Sequence, residues 1–582
     1  MFMAPKESDP KPKPAAAAAS QPAAPAPKKG AAKEEAKSVE DIEKEFREYS
    51  VAEFFKKNRQ MLGYTGKVRS LTTIVHEAVS NSLDACEDAK ILPEIQVEVQ
   101  ELPNGHYKVA VEDNGTGVPK SKVGLAFGKL LAGTKFHQRA QKRGQQGIGI
   151  SYAVLFSQLT TGKESHIKTS IGGGKVYECD ISVDVQKNEP HIKNEKETAG
   201  KFQGTRFEGE FAEVTYNRSE YSVYEYLRRT ALANPHAQLT LIEPTKEIVV
   251  FPRAAREIPK KPDNVLPHPL GIHTSDLIDM AKGSEARKIS SFLTNDFARV
   301  SSDKAKELEE LVAKDGKGDP VDFDRAPKTL TWPEAERIVH AIGQVKWISP
   351  ETSALIPIGE KTIEKSLKAL LQPEQLAVSS RRPRVFRGGI PFLVEAAIAY
   401  GGKAGAAKEG GVKGSELLRF ANRVPLLFDA GTCATSEAVK TIDWGRYDLK
   451  PLEEKPVSIF INFVSVYVPY TGAGKLAISQ EEEIVQEIRQ ALMECARDVS
   501  VYLHGLAKAE EQERRRTLFF RYIDEVARAL ETLTGKDRAV LMQKLQKMAK
   551  ERTEIALRGE EEEVDKELEK LEKAEKQLEE EV

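Results

Sequence analysis

Cysteine is scarce in this chain: four residues among 582, at Cys86, Cys179, Cys433 and Cys495. They lie far apart and form no CxxC pair, which argues against a disulfide framework or a zinc site and suits a reducing cytoplasm. Long apolar runs are lacking too. The most apolar stretch, Ile390 to Tyr400, is short and carries Glu395, whereas a membrane-spanning helix needs about 20 apolar residues. The N-terminal segment has no signal-like apolar core, so a cytoplasmic, non-membrane protein is expected. Charge of one sign is also missing. Lys+Arg number 87 against Asp+Glu 89, a formal charge of −2, so any contact with nucleic acid must come from local patches rather than from the whole chain.

What is present reads as a soluble, globular chain, 40% hydrophobic and 30% charged, and too long for one ordinary core. Residues 1–38 are Ala, Pro and Lys in low-complexity order. Such a segment buries too little apolar surface to offset its ordering entropy, so a disordered tail is expected. Val75, Val79, Leu83 and Cys86 recur at helical spacing, predicting a helix over Leu71 to Ala89. Residues 95–100 (IQVEVQ), 107–112 (YKVAVE) and 175–183 carry strand patterning. After Pro252 a Pro- and Lys-bearing linker, residues 257–269, leads into a helical region, Thr274 to Leu311, whose Phe292 and Phe297 must be core. A second mixed domain follows. It has a buried-strand pattern over Val457 to Val468 and a long helix with Ile484, Ile488, Ala491, Cys495, Val499 and Tyr502 on one face, together suggesting βαβ architecture. The end, from Gly559, is acidic, with Val564, Leu568, Leu571, Leu578 and Val582 at heptad positions. A weak coiled-coil tail and a solvated acidic end both fit it.

Three elements carry chemistry. Glu77, Asn81, Asp84 and Asp88 form one stripe opposite the apolar face of the first helix; alone, this also reads as a solvated polar face. The second strand ends in Asp113-Asn-Gly-Thr-Gly117, which suits close backbone approach to a planar ligand but equally an ordinary turn. Residues 143–150 (RGQQGIGI) hold three glycines within six positions, a loop able to cradle phosphate where it opens a helix. Its GxxGxG order is not the dinucleotide-fold GxGxxG.

Order and spacing join the three. Glu-x3-Asn-x2-Asp-Ala (Glu77, Asn81, Asp84, Ala85), Asp-x-Gly-x-Gly, Gly-x-x-Gly-x-Gly and then Gly204-Thr205 resemble the Bergerat ATP-binding set. Gyrase B, MutL repair proteins, ninety-kilodalton heat-shock chaperones and histidine kinases share that set. The resemblance implies Glu77 as general base toward the attacking water, Asn81 as Mg²⁺ ligand and Asp113 as acceptor from the adenine amino group. It also implies a phosphate lid at Gly144, Gln145, Gln146, Gly147, Ile148, Gly149, Ile150 and Ser151. Asp84, Gly117, Thr134, Lys135 and Thr205 fall at further nucleotide positions of the set.

Longer blocks, at 50–58, 127–136, 143–151, 387–402 and 419–429, look like those of B subunits of type IIB topoisomerases, the topoisomerase VI family. The implied fold is α+β and multidomain. It comprises a GHKL ATPase α/β sandwich (39–266), a helix–two-turns–helix domain (267–345), a transducer of ribosomal-protein-S5-like βαβ fold with a long helix (346–530) and a helical acidic tail (531–582). Residues 468–476 (VPYTGAGKL) are not a Walker A motif, because Pro469 and Leu476 stand where Gly and Ser/Thr are needed. The resemblance makes Lys475 a catalytic switch lysine for the γ-phosphate. For DNA contact it points to Trp444, Arg446 and Tyr447, although the family's lysine is here Gly445, and the cluster Arg381, Arg382, Arg384 and Arg387 is a further candidate. A separate A subunit in an A2B2 assembly, self-dimerisation on ATP binding, double-stranded DNA and a nucleoid-associated location are expected. Residues 514–530 would dock the A subunit through Phe519 and Phe520. A MutL-like repair ATPase and a non-hydrolysing clamp are the alternatives.

Overall fold

The computed structural model describes residues 59, 63–130, 141, 143, 149–315, 320–407, 413–472 and 475–550. The low-complexity N-terminal segment, Thr134, Lys135, Gly144, Gln145, Gln146, Gly147, Ile148 and the heptad-like end lie outside them, as do the side chains of Arg516, Phe519 and Phe520.

The first helix, α1 (Lys67–Asp88), buries Leu71, Ile74, Val75, Val79, Leu83 and Cys86, the stripe its spacing demands. It ends where Lys90 takes a left-handed φ of 58° and Pro93 starts the entry to β1 (Glu94–Glu101). The other elements of this unit are β2 (Tyr107–Asp113), α2 (Lys120–Phe127), α3 (Gly149–Thr161), β3 (Ser165–Ser170), β4 (Lys175–Asp184), β5 (Glu189–Ala199), β6 (Gly204–Phe211), α4 (Val223–Ala233), β7 (Gln238–Ile242) and β8 (Ile248–Phe251). They build an eight-stranded sheet ordered β5-β4-β3-β6-β2-β1-β7-β8. Every pairing is antiparallel except β1 with β7. Alternation in β1 buries Ile95, Val97 and Val99, which join Val75, Val79 and Leu83 of α1 and Tyr152 and Phe156 of α3 in one core.

The middle segment has its own core. α5 (Thr274–Gly283), α6 (Ile289–Asp296), α7 (Ser302–Lys314) and α8 (Trp332–Ile342) close around Leu277, Phe292, Phe297, Leu308 and Ile338. Phe292 and Phe297 meet edge to face at 5.4 Å, a favoured aromatic geometry. A capping box of Thr331 and Glu334 starts α8, satisfying backbone N–H groups that the helix leaves unpaired.

The second sheet follows α9 (Glu360–Leu371). Its strands are β9 (Gln375–Ser380), β10 (Arg384–Phe386) and β11 (Ile390–Tyr400), then, past a small hairpin of β12 (Ala406–Ala407) and β13 (Lys413–Gly414), β14 (Glu416–Ala421) and β15 (Val424–Pro425). After α10 (Ala434–Thr441) comes β16 (Val457–Ser465), and then the 53-residue α11 (Glu482–Thr534). The order is β10-β11-β16-β14-β15, with β9 also paired to β11, and β14 runs parallel to β16. Both faces are covered, which explains the unbroken apolar run of β16. Val394, Ala396 and Ile398 of β11 pack toward Ile484, Ile488 and Cys495 of α11. Ala397 and Ala399 pack instead with Ile363 and Leu367 of α9 and with Leu232 and Ala233 of α4. The last contact joins the two sheets through shared core. Helix α11 continues past residue 530 and stops where Gly535 adopts a left-handed φ of 65°. Among the described residues, no helix is long and apolar enough to cross a membrane.

Candidate functional site

The site gathers where α1, the end of β2 and the start of α3 meet. Asp113 closes β2 in a buried position. Its Oδ1 accepts from the Gly115 N–H at 2.9 Å and the Thr205 N–H at 3.2 Å, and its Oδ2 from the Ser82 hydroxyl at 2.8 Å. Burial pushes the Asp113 carboxyl above the usual carboxylate range, against the pull of these three donors. The three donors fix the carboxyl group in direction, and its oxygens can accept from an exocyclic amino group. Beside it Asn114 is structural: its Oδ1 accepts from Glu94 N–H and its Nδ2 donates to the Leu92 carbonyl.

Two glycines bring backbone where a side chain cannot go. Gly117 has φ +69°, and a Cβ there would overlap the Ser170 carbonyl. Gly149, the first residue of α3, lies against the Glu77 carboxylate so closely that a Cβ would overlap Oε2, Cδ and Cγ. Glu77 is half-buried on the stripe of α1, with Asn81 exposed one turn on. Behind Glu77, burial and the Glu77 charge push the Tyr64 phenol well above its usual range.

Asp84, next on the stripe, pairs with Arg143 at 2.8 Å, and Arg143 also grips Glu87 at 2.6 Å. Burial works against the Arg143 cation, but the Glu87 and Asp84 carboxylates more than offset it. Thr205 contributes its backbone N–H to Asp113, while its hydroxyl meets that of Thr169 at 3.3 Å. Ser151 is buried and donates to the Lys129 carbonyl at 3.0 Å, and Ile150 packs against the core of the first sheet.

From the second sheet, Lys475 follows β16 with a left-handed φ of 53°. The next residue, Leu476, packs on the core of the first sheet, as do Leu427 and Phe428. Lys475 therefore enters the neighbourhood of α1. Burial lowers the His76 pKa; the Glu77 carboxylate pulls it back up in part, and the Lys475 ammonium lowers it again.

The positions proposed for DNA lie apart from this cluster. Trp444 and Tyr447 are buried in the core under α11, and the Trp444 indole donates to the Val439 carbonyl at 2.9 Å. Arg446 is the exposed member and pairs with Asp443. Arg381 binds Glu487, Gln490 and Glu494 of α11. Arg384 pairs with Glu487 and Arg387 with Glu481, while Arg382 is exposed. The role of Ser82 in fixing Asp113 and the double grip of Arg143 had no signal in the sequence pattern, since each partner is distant in the chain.

Residues 66–207 match the family described as histidine kinase-, DNA gyrase B- and HSP90-like ATPases, and residues 350–515 match the topoisomerase VI B subunit transducer. The B subunit of type 2 DNA topoisomerase 6 from Pyrococcus horikoshii is 45% identical over 557 residues, covering 89% of this chain and 97% of that protein. Its counterpart from Thermococcus kodakarensis is 46% identical over 531 residues, covering 84% and 92%.

This chain belongs to the topoisomerase VI B-subunit family.

The family is that of type II DNA topoisomerases, and its ATPase domain binds ATP. The MutL-like and non-hydrolysing readings give way to it, because the transducer match and the near full-length identity are to topoisomerase VI B subunits. Among solved structures, the 43K ATPase domain of Thermus thermophilus gyrase B is 13% identical with a TM-score of 0.36, over 81% of this chain and 97% of that one.

Proposed function

We propose that this topoisomerase VI B subunit hydrolyses ATP with Glu77 as general base, and that hydrolysis drives passage of one DNA duplex through a double-strand break made by an A subunit. The packing of Gly149 backbone on the Glu77 carboxylate carries this reading. It sets a carboxylate at the start of a glycine-opened helix, where N–H groups and helix dipole favour phosphate. A base so held contributes about 10²–10⁴-fold. Asp113 would accept from the adenine amino group, its other directions being filled by Ser82, Gly115 and Thr205. Gly117 would complete the nucleotide pocket by letting the backbone after β2 pack on the Ser170 and Gly204 carbonyls.

Asn81 fits a Mg²⁺ ligand: it is exposed beside Glu77 and offers a neutral amide oxygen. Among the described residues, no group of three or more His, Cys, Asp or Glu could hold a metal. When bound, the ion would supply charge neutralisation at the phosphates. Lys475 would bring a cation to the γ-phosphate, and the packing of Leu476 on the ATPase core supports its delivery there.

The relatives' name supports an A-subunit partner and DNA, to which the proposal adds an A2B2 assembly closed by ATP-driven dimerisation of the B subunits. No cleavage machinery is evident in this sequence. For A-subunit docking, the far part of α11 leaves Leu518, Tyr522 and Val526 exposed at four-residue spacing, an apolar stripe in search of a cover. ATP turnover by the chain with Glu77→Ala beside it tests the site. Loss of turnover with retained ATP binding is expected. Equal turnover by the two proteins would contradict the assignment.

A further inference from the structure

Two arginines that ATP chemistry does not use lie buried between the sheets. Arg143 Nη1 donates to Asp84 Oδ1 and Glu87 Oε2, each at 2.8 Å. Its Nη2 donates to Glu87 Oε1 at 2.6 Å and to Asn234 Oδ1 at 2.7 Å. Asp84 and Glu87 stand on α1, the helix that also carries Glu77 and Asn81. Asn234 caps the end of α4 and passes the connection on, its Nδ2 donating to the Arg423 carbonyl at 3.1 Å.

Arg423 is the hub on the other side. Its N–H donates to Asn462 Oδ1 at 3.1 Å, and its Nη2 to the carbonyls of Ile356 at 3.1 Å and Pro357 at 3.3 Å. Gln141 clasps the same Ile356, accepting from its N–H at 2.6 Å and donating to its carbonyl at 3.1 Å. The segment is fixed again at its far end. Ile358 and Gly359 N–H groups donate to Glu395, which also accepts from Asn462 Nδ2 at 2.8 Å. Arg423 holds a left-handed φ of 69° between β14 and β15. Glycine would take that conformation at lower cost.

We propose that Arg143 and Arg423 are positioning residues that couple the nucleotide site to the transducer sheet, by a route separate from Lys475. The inference rests on the reading of α1 as the catalytic helix. A shift of α1 cannot be absorbed locally, because its carboxylates are held by a guanidinium fork that is itself bonded through Asn234 to Arg423. Either charged hydrogen bonds break inside a desolvated interface, or residues 356–359 and 422–423 move with the helix. Buried chains of charged and amide hydrogen bonds favour discrete arrangements over gradual deformation.

The full chain with its A subunit tests this through Arg423→Lys, which keeps the charge and loses the fork, and Gln141→Met, which removes the clasp. The kcat and KM for ATP should stay within about threefold of native, while plasmid relaxation falls about tenfold, within the usual range of coupling between sites. Unchanged relaxation, or relaxation and hydrolysis falling in proportion, would overturn the proposal. Amide hydrogen exchange on the native chain decides the matter if the variants fold poorly. A β,γ-imido ATP analogue with Mg²⁺ should change exchange at Ile356, Ile358, Gly359 and Arg423 by about tenfold. No change there overturns the coupling. Failure of the native chain to hydrolyse ATP would instead remove the site reading beneath it, and the inference with it.

Discussion

Gly149→Ala separates catalysis from stability at a single carbon. The new Cβ would fall 1.8 Å from Glu77 Oε2, 2.3 Å from Cδ and 2.9 Å from Cγ, whereas ordinary contact begins near 3.4 Å. The carboxylate must therefore retreat by about 1.5 Å, and displacement of a reacting group by about 1 Å can cost ~10²-fold in rate. Folding should barely notice. The clash is with the far end of a flexible, half-buried side chain, and Gly149 opens a helix without a left-handed φ. Alanine gains up to about 1 kcal/mol over glycine in helix propensity. Steady-state ATP hydrolysis should show kcat reduced about 100-fold, with a urea midpoint equal to or above that of the native chain. Native kcat in a folded Gly149→Ala protein would refute the placement of Glu77 against the α3 start.

Other outcomes follow from the same geometry. Glu77→Gln should retain ATP binding in calorimetry and lose about 10²–10⁴-fold in turnover; weakened binding with normal turnover would contradict the role. Because burial raises the Asp113 pKa, ATP affinity should fall as pH drops through that raised value, at a pH above the ordinary carboxylate range, as the acceptor becomes protonated. The same shift makes folding stability fall as pH rises from the unfolded-state pKa to the folded-state one. Asp113→Asn should abolish both slopes and bind ATP more weakly, as melting and binding series across pH would reveal. Trp444→Ala should cost about 3–5 kcal/mol in denaturant unfolding, as for a buried aromatic. Arg446→Ala, at an exposed position, should stay within about 0.5 kcal/mol of native and lower the salt dependence of DNA binding by about one phosphate contact.

The elements whose period matches their burial were legible in the sequence. α1 spans Lys67–Asp88 where the apolar spacing predicts Leu71 to Ala89, and β1 and β2 contain residues 95–100 and 107–112. Phe292 and Phe297 are core. The strand reading over Val457 to Val468 overran, because the chain leaves the sheet after Ser465 although apolar residues continue. Strand β5 left no apolar alternation to read: it is an exposed edge, with most of its residues facing solvent. Spacing of Glu77, Asn81, Asp113 and Gly117 was visible because one helix and one strand end carry them. The Arg143 network was not, since its partners lie 59, 56 and 91 residues away and only tertiary packing joins them. Trp444 and Tyr447 show the converse. A motif-like string can be core, where the indole meets a carbonyl and the phenol is buried under α11.

The central claim is that ATP hydrolysis at Glu77 drives strand passage. Relaxation of supercoiled plasmid by this chain with an A subunit, ATP and Mg²⁺, with Glu77→Ala in parallel, tests it most directly. Relaxation should need both subunits and ATP and disappear in the variant. Hydrolysis of ATP with no change in DNA topology, or full relaxation by Glu77→Ala, would contradict it.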